Sequence, residues 1–102
     1  MTLRDKTIDI SKMTNVDKVI KGVRGSILSL QVDGNVNLTL KGSHENFVSD
    51  KYYPISVINM TTMEKATSIT EEGLYLAIIE GLDEIVLDIS GTGTIHWKEL
   101  GD

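Results

Sequence analysis

Residues 26–41, SILSLQVDGNVNLTLK, form the segment that decides the fold. Apolar and polar residues alternate on both sides of Asp33-Gly34, which is the pattern of two half-buried β-strands joined by a turn. A two-residue turn would set the apolar face of each strand against the polar face of the other, so register excludes it. A three-residue loop from Val32 to Gly34, with a left-handed glycine, brings the apolar faces together. The pairs that this hairpin predicts are Leu30 with Val36 and Leu28 with Leu38.

Residues 85–99, IVLDISGTGTIHWKE, repeat this pattern around a second glycine-rich segment. A loop of Gly91-Thr92-Gly93, with Gly93 supplying the positive φ, predicts a second hairpin with matching apolar faces. The apolar run Leu74–Ile79 precedes it and turns through residues 80–83 into its first strand. The C-terminal half is therefore predicted to be a three-strand meander. The expected pairs in its last hairpin are Leu87 with Trp97 and Ile89 with Ile95.

The run Leu74–Ile79 is apolar on both faces, unlike the alternating strands around it. This pattern is typical of a strand that is covered on both sides, either between two sheets or at a contact between subunits. We therefore predict an all-β fold, a small antiparallel β-sandwich of the jelly-roll type. Residues 1–102 form one domain, with residues 1–15 as an extended N-terminal arm. The candidate interface residues on the apolar strand are Leu74, Leu76 and Ile78.

Three further segments complete the predicted organisation. Residues 52–59 indicate a strand in which Pro54 lies at the start or on a sheet edge, because proline cannot donate to the ladder. Residues 17–23 fit either a strand or a short helix. Residues 42–51 are polar and predict a loop.

Composition limits the classes of function. With 102 residues, 40% of them hydrophobic and 25% charged, the chain has the composition of one folded domain. It contains no cysteine, which excludes disulfides, thiolate zinc sites and cysteine nucleophiles. A formal charge of −5 with scattered basic residues argues against nucleic acid and anionic membranes as partners. Because no apolar run exceeds six residues, we expect a soluble protein made in the cytoplasm.

The sequence presents no constellation of catalytic or metal-ligating residues. His44 lies in a polar loop, and His96 alternates with apolar residues on a strand, so both are expected to face solvent. Asp33-Gly34-Asn35 lacks the alternating oxygen ligands of a calcium loop. The glycine spacing of residues 22–25 matches a KH-type RNA-binding loop, but the acidic charge favours a simple turn. We therefore predict no enzyme activity, no cofactor and no metal site.

Aromatic residues offer one indication of a ligand. Tyr52 and Tyr53 are adjacent, so in a strand they point to opposite sides and one of them is exposed. Exposed tyrosine rings can stack on sugar faces, whereas Trp97 is predicted to point into the core. A small carbohydrate-binding module for cell-surface glycans is therefore the alternative hypothesis.

Short glycine-punctuated segments run through the C-terminal half: TSITEEGLY at 67–75, GLDEI at 81–85 and GTGTI at 91–95. In these segments the chain resembles the small β-rich virion proteins of tailed bacteriophages and prophages. That resemblance implies a non-enzymatic structural part of a neck, baseplate, head decoration or fibre. It also implies a homo-oligomer that contacts other virion proteins and becomes part of a virion. The leading hypothesis is a structural or interaction protein, in which symmetric assembly covers the strand Leu74–Ile79.

Overall fold

The structure is a computed structural model that describes residues 2–10, 16–44 and 52–101. All of the regular structure in these residues is β-strand, so the predicted all-β class is confirmed. Every strand pair is antiparallel. The strands are β1 (Thr2–Ile10), β2 (Val16–Lys21), β3 (Ile27–Ser43), β4 (Tyr53–Pro54), β5 (Val57–Asn59), β6 (Lys65–Ala66), β7 (Ser68–Ile69), β8 (Gly73–Ile78) and β9 (Glu84–Leu100).

Two long strands, β3 and β9, form the centre of the sheet. They pair over their whole lengths, from Ile27 opposite Leu100 to Ser43 opposite Glu84. The other edge of β9 pairs with β1 and β2, and the other edge of β3 pairs with β8, β7 and β4. Strand β5 extends the sheet beyond β8, and β6 follows β5. The described strands therefore form one hydrogen-bonded sheet.

Strands β3 and β9 bend sharply near their midpoints. Each strand has 17 residues, and a straight strand of that length would span roughly 55 Å. The longest dimension of the molecule is only 33 Å. Gly34 of β3 and Gly93 of β9 lie opposite each other at the bend, with φ values of 93° and 149°. Gly91 also has a positive φ, of 103°, a conformation that favours glycine.

The bend requires glycine for reasons of space as well. A Cβ atom at Gly91 would overlap the carbonyl oxygen of Asn35, and one at Gly93 would overlap that of Asp33. Both carbonyl groups belong to the facing strand, β3. The two backbones therefore come too close at the bend for any side chain between them.

The inner face of the bent sheet forms the hydrophobic core. Alternate residues of β3 and β9 are buried on both sides of the bend, and the bend glycines occupy the same alternation. Glycine thus leaves the inner corner free of side chains, so the two halves of each strand can fold toward each other. The buried apolar residues are Ile10, Ile20, Leu28, Leu30, Val32, Val36, Leu38, Leu40, Val57, Ile69, Tyr75, Ala77, Ile79, Ile85, Leu87, Ile89, Ile95 and Trp97.

The two predicted hairpins are wrong. Val32–Gly34 and Gly91–Gly93 continue as strand, and the two segments pair with each other. Positive φ at Gly34 and Gly93 is confirmed, but it bends a strand instead of reversing the chain. Local alternation fits both arrangements, because a three-residue loop and a bent strand keep the same residues on the apolar face. The observed pairs are Leu28 with Glu99, Leu30 with Trp97, Val32 with Ile95, Val36 with Gly91, Leu38 with Ile89 and Leu40 with Leu87.

The predicted C-terminal meander is wrong for the same reason. Strand β9 is a single strand, and β8 pairs with β3 and β5. The sequence neighbours β8 and β9 are therefore separated in the sheet by β3. The sandwich and jelly-roll arrangement stays a prediction.

The predictions for the segment between β3 and β8 are confirmed in part. Residues 52–59 contain two short strands, β4 and β5, instead of one. Pro54 lies in β4, which pairs only with the edge of β3 within the described residues, as expected for proline. Of the predicted loop 42–51, the first two residues belong to β3, and residues 45–51 lie outside the described residues.

The N-terminal segment contributes two strands to the sheet. Residues 2–10 of the predicted arm form β1 along the edge of β9, and residues 11–15 lie outside the described residues. Of residues 17–23, residues 17–21 adopt the strand alternative, as part of β2. The glycine-spaced residues 22–25 connect β2 to β3, in agreement with the predicted turn.

Candidate functional site

Strand β8 has one covered face and one exposed face. Tyr75 and Ala77 point into the core and are buried, and the Tyr75 hydroxyl donates a hydrogen bond to the carbonyl oxygen of Glu71 at 2.8 Å. On the opposite face, Leu74 is 46% exposed and Ile78 is 70% exposed. Strand β8 therefore presents apolar side chains to solvent on its outward side.

Neighbouring strands extend this exposed apolar surface. Ile27 of β3 lies directly opposite Ile78, so their side chains share the outward face. The backbone N–H of Met60 donates to the carbonyl oxygen of Leu74 at 2.9 Å, which places Met60 beside Leu74 at the end of β5. We name this surface the outer apolar face. Its members are Ile27, Ile58, Met60, Leu74, Leu76 and Ile78.

The three candidate interface residues lie together on this face. Leu74, Leu76 and Ile78 project from one side of β8, and Leu76 lies opposite Ile58 of β5. The described residues do not form a second sheet over them. Of the two coverings predicted for this strand, contact between subunits is the one that stays a prediction.

The outward face becomes polar toward β9 and β1. His96 is half-buried there, and its Nδ1 lies 2.7 Å from the hydroxyl oxygen of Thr7. Its Nε2 lies 3.3 Å from a carboxylate oxygen of Asp5. The outward direction predicted for His96 is therefore confirmed. This group lies on an open part of the sheet surface, and not in the enclosed pocket that favours general acid–base chemistry.

The two candidate tyrosines lie on the other side of the bend. Strand β4 pairs with Lys41 and Gly42, whereas β8 pairs with the first half of β3. Tyr53 is 67% exposed, so the prediction that one of the two tyrosines is exposed is confirmed. The hydroxyl of Tyr52 donates to a carboxylate oxygen of the buried Glu84. The structure therefore does not bring the tyrosines together with the outer apolar face.

A buried carboxylate, Glu99, was missed by the sequence analysis. Glu99 is fully buried on the inner face, and its Oε1 accepts the backbone N–H groups of Arg24 at 2.8 Å and Gly25 at 3.1 Å. Its Oε2 lies in ion-pair contact with Nε of Arg4 at 2.7 Å, without the alignment of a hydrogen bond. Glu99 thus ties β1 and the β2–β3 connection to the end of β9.

The described residues also bear on His44, on metal binding and on membrane spanning. His44 is exposed at the end of β3, as predicted. Residues 2–10, 16–44 and 52–101 contain no group of three or more acidic or histidine side chains that could hold a metal ion. The same residues contain no helix that is long and apolar enough to cross a membrane.

Comparison with known proteins identifies a similar fold. No protein-family model matches the chain, and no curated protein matches it in sequence. The crystal structure of YomS, a protein derived from the SPBc2 prophage, superposes with a TM-score of 0.67. The match covers 93% of this chain and 89% of that one, at 16% sequence identity. At this level of identity, what the two proteins share is the fold.

Proposed function

We propose that this chain is a non-enzymatic structural protein of a phage or prophage particle and that it works as a homo-oligomer. The observation that carries the proposal is the outer apolar face, on which Leu74 and Ile78 are the most exposed members of β8. Apolar surface is stabilised when a partner removes it from water, so a contiguous patch supports an interaction role. The likeness to a prophage-derived protein supports the phage context.

A second copy of the chain is the partner that fits this face. The members of the outer apolar face carry no charge, so two copies can meet there without bringing like charges together. A charged contact would be opposed by the net charge of −5 on each copy. Contact between identical faces also closes by two-fold symmetry, which limits the size of the assembly.

The apolar area on this face sets the strength of association. Fully burying one Leu or Ile side chain contributes about 1.5–3 kcal/mol, and the members are partly exposed, so two copies gain on the order of 8 kcal/mol. Association costs about 4–15 kcal/mol in translational and rotational freedom. Because these two free energies are similar, we expect the oligomer to depend on protein concentration.

Sedimentation velocity over a series of protein concentrations tests the oligomer. We expect the wild-type chain to associate and Ile78→Glu, which places a charge on the outer apolar face, to sediment as a monomer. Tyr53→Glu is the matched control, because Tyr53 is also an exposed strand residue but lies in β4, away from this face. Circular dichroism confirms that both variants are folded. A wild-type protein that stays monomeric at every concentration would contradict the proposal.

The phage context requires a separate experiment. Particles released from an induced lysogen that carries the gene are purified and analysed by mass spectrometry. We expect the chain to be present in a fixed ratio to the major particle proteins. Its absence from purified particles would remove the virion part of the proposal and leave the oligomer untouched.

Glycan binding is the second candidate function, and it rests on Tyr53. The ring of Tyr53 is exposed on β4, and an exposed tyrosine can stack on a sugar face. A glycan array probed with the wild-type chain, Tyr53→Ala and Met63→Ala tests it, since Met63 is an equally exposed apolar residue elsewhere. Binding that only Tyr53→Ala loses supports the function, and an array without any signal for the wild-type chain rejects it.

A further inference from the structure

A cleft separates β1 from β2 along the edge of β9. The two strands pair with β9 on opposite sides of its bend, so the bend turns them toward each other. Lys6 lies opposite Trp97 and Lys18 lies opposite Leu87, and residues directly opposite each other point to the same face. Both lysines therefore point to the inner side of the sheet at its open edge. We name this cleft the seam, and its lining includes Arg4, Lys6, Lys18, Ile20 and Trp97.

The seam carries an excess of positive charge. Arg4 is neutralised by the buried carboxylate at the end of β9, and Asp5 on the rim is engaged with His96. Within the described residues, Lys6 and Lys18 form no ion pair with a carboxylate. Side-chain contact with Lys6, followed by repulsion between the two ammonium groups, lowers the pKa of Lys18. Two like charges therefore lie together in a chain whose net charge is −5.

The indole of Trp97 adds an unused hydrogen-bond donor to the seam. Trp97 is buried, and its Nε1–H has no hydrogen-bond partner among the described residues. A buried N–H group without a partner is unusual in a folded protein. The same ring lines the seam, which brings an unpaired donor to this part of the sheet edge.

We propose that the seam binds an oxyanion, which is a phosphate, sulfate or carboxylate group. Lys6 and Lys18 supply charge-assisted hydrogen bonds from two strands, and the Trp97 N–H supplies a third donor. The negative charge of the ligand also removes the repulsion between the two lysines. The inference is independent of the proposed oligomer, because the seam lies at the inner edge of the sheet and the outer apolar face points away from it.

Lysines that point inward on edge strands also have a purely protective role. They keep exposed strand edges from pairing with other chains, and this role needs only their charge. It makes no use of the Trp97 donor and does not distinguish one anion from another. A specific response of Trp97 to oxyanions therefore separates binding from edge protection.

Trp97 is the single tryptophan of the chain, so its indole N–H gives one resonance in a proton–nitrogen correlation spectrum. Phosphate, sulfate and acetate are added separately, with chloride at matched ionic strength as the reference. We expect a saturable shift of this resonance with an oxyanion and no saturable shift with chloride. The double variant Lys6→Gln/Lys18→Gln should weaken binding at least about tenfold. Lys65→Gln, which removes an exposed lysine of β6, should bind as the wild-type chain does.

The oxyanion has two sources, a free ion or a carboxylate group of a second copy. A free ion shifts the resonance in dilute, monomeric protein. A second copy shifts it as the protein concentration rises, and the double variant loses this shift. An indole resonance that responds neither to oxyanions nor to protein concentration overturns the inference and leaves edge protection as the role of the lysines.

Discussion

The inner and outer faces of the sheet are both rich in Leu and Ile, yet only the inner face is buried. Leu38 and Ile89 lie opposite each other on the inner face and are at most 1% exposed. Leu74 and Ile78 lie on the outward face of β8 and are largely exposed. The bend causes this difference, because the sheet folds around its inner face and leaves the outer face convex. In this protein, position relative to the bend identifies the core, and apolar composition alone does not.

Of the changes that test the two faces, replacing a glycine at the bend should lower the free energy of unfolding the most. In Gly91→Ala, the new Cβ atom overlaps the carbonyl oxygen of Asn35 and sits on a backbone with a φ of 103°. We expect the free energy of unfolding to fall by at least about 4 kcal/mol, since the two long strands must separate locally. Urea unfolding followed by circular dichroism measures the change.

Gly81→Ala is the matched control for this variant. Gly81 has a similar φ of 87°, but a Cβ atom there meets nothing within 4 Å. Only the backbone conformation is penalised, so we expect a loss of about 1–2 kcal/mol. Equal losses at Gly81 and Gly91 would show that the close approach of β3 and β9 at the bend is not required.

The bend also separates what could be predicted about this fold from the sequence from what could not. Alternation identified the buried residues of β3 and β9, and the positive φ of Gly34 and Gly93 followed from their positions between apolar runs. The partner of each segment did not follow, because a local hairpin and a long bent ribbon bury the same alternation. The choice depends on Gly34 meeting Gly93 across the sheet, a contact between residues far apart in sequence.

Truncating one leucine on each face should give the next largest difference in stability, between an inner and an outer variant. Leu38→Ala leaves a cavity in the packed interior, and we expect a loss of about 3 kcal/mol. Leu74→Ala removes a side chain that is 46% exposed, so we expect a change within about 0.5 kcal/mol. Both variants are unfolded in urea at a protein concentration at which the chain is monomeric. Similar losses would mean that the outer face is covered by the chain itself.

The outer apolar face could be predicted only in part. Leu74, Leu76 and Ile78 belong to the run 74–79, which is apolar on both faces of its strand, and this run identified β8 as one strand of the surface. Ile27 and Met60 join it through the register of β3 and β5 against β8, which local sequence does not contain. A strand that is apolar on both sides indicates a surface, and its neighbours in the sheet determine how large that surface is.

Two glutamates that accept backbone N–H groups provide a smaller test of the inner face. Glu99 is buried beside Arg4, and Glu72 accepts the N–H of Gly34 at 3.0 Å on the exposed side. Glu99→Gln keeps an oxygen acceptor but loses the ion pair, so we expect a loss of about 1–2 kcal/mol. Glu72→Gln should change the stability by less than about 0.5 kcal/mol, because water screens the exposed carboxylate. Urea unfolding of both variants at neutral pH measures these changes.

The inward direction of the Glu99 side chain could have been predicted from the sequence. It shares the alternation of Ile95 and Trp97, which are both buried. A carboxylate at an inward position requires hydrogen bonds or an opposite charge, because desolvation of an unpaired carboxylate is costly. The sequence does not name those partners, since Arg4 reaches Glu99 across the sheet from the opposite end of the chain.

The smallest effect on folding should come from making the outer apolar face polar. Leu74→Thr/Ile78→Thr places a β-branched side chain at each position, so a high strand propensity is retained while apolar area is lost. We expect the free energy of unfolding of the monomer to change by less than about 0.5 kcal/mol. Binding of a hydrophobic fluorescent dye should fall, and self-association should be lost, because both depend on exposed apolar area. A variant that unfolds would place these side chains in the core. A variant that binds dye and associates as the wild-type chain does would show that other residues form the apolar contact surface, and either result would contradict the distinction between the two faces.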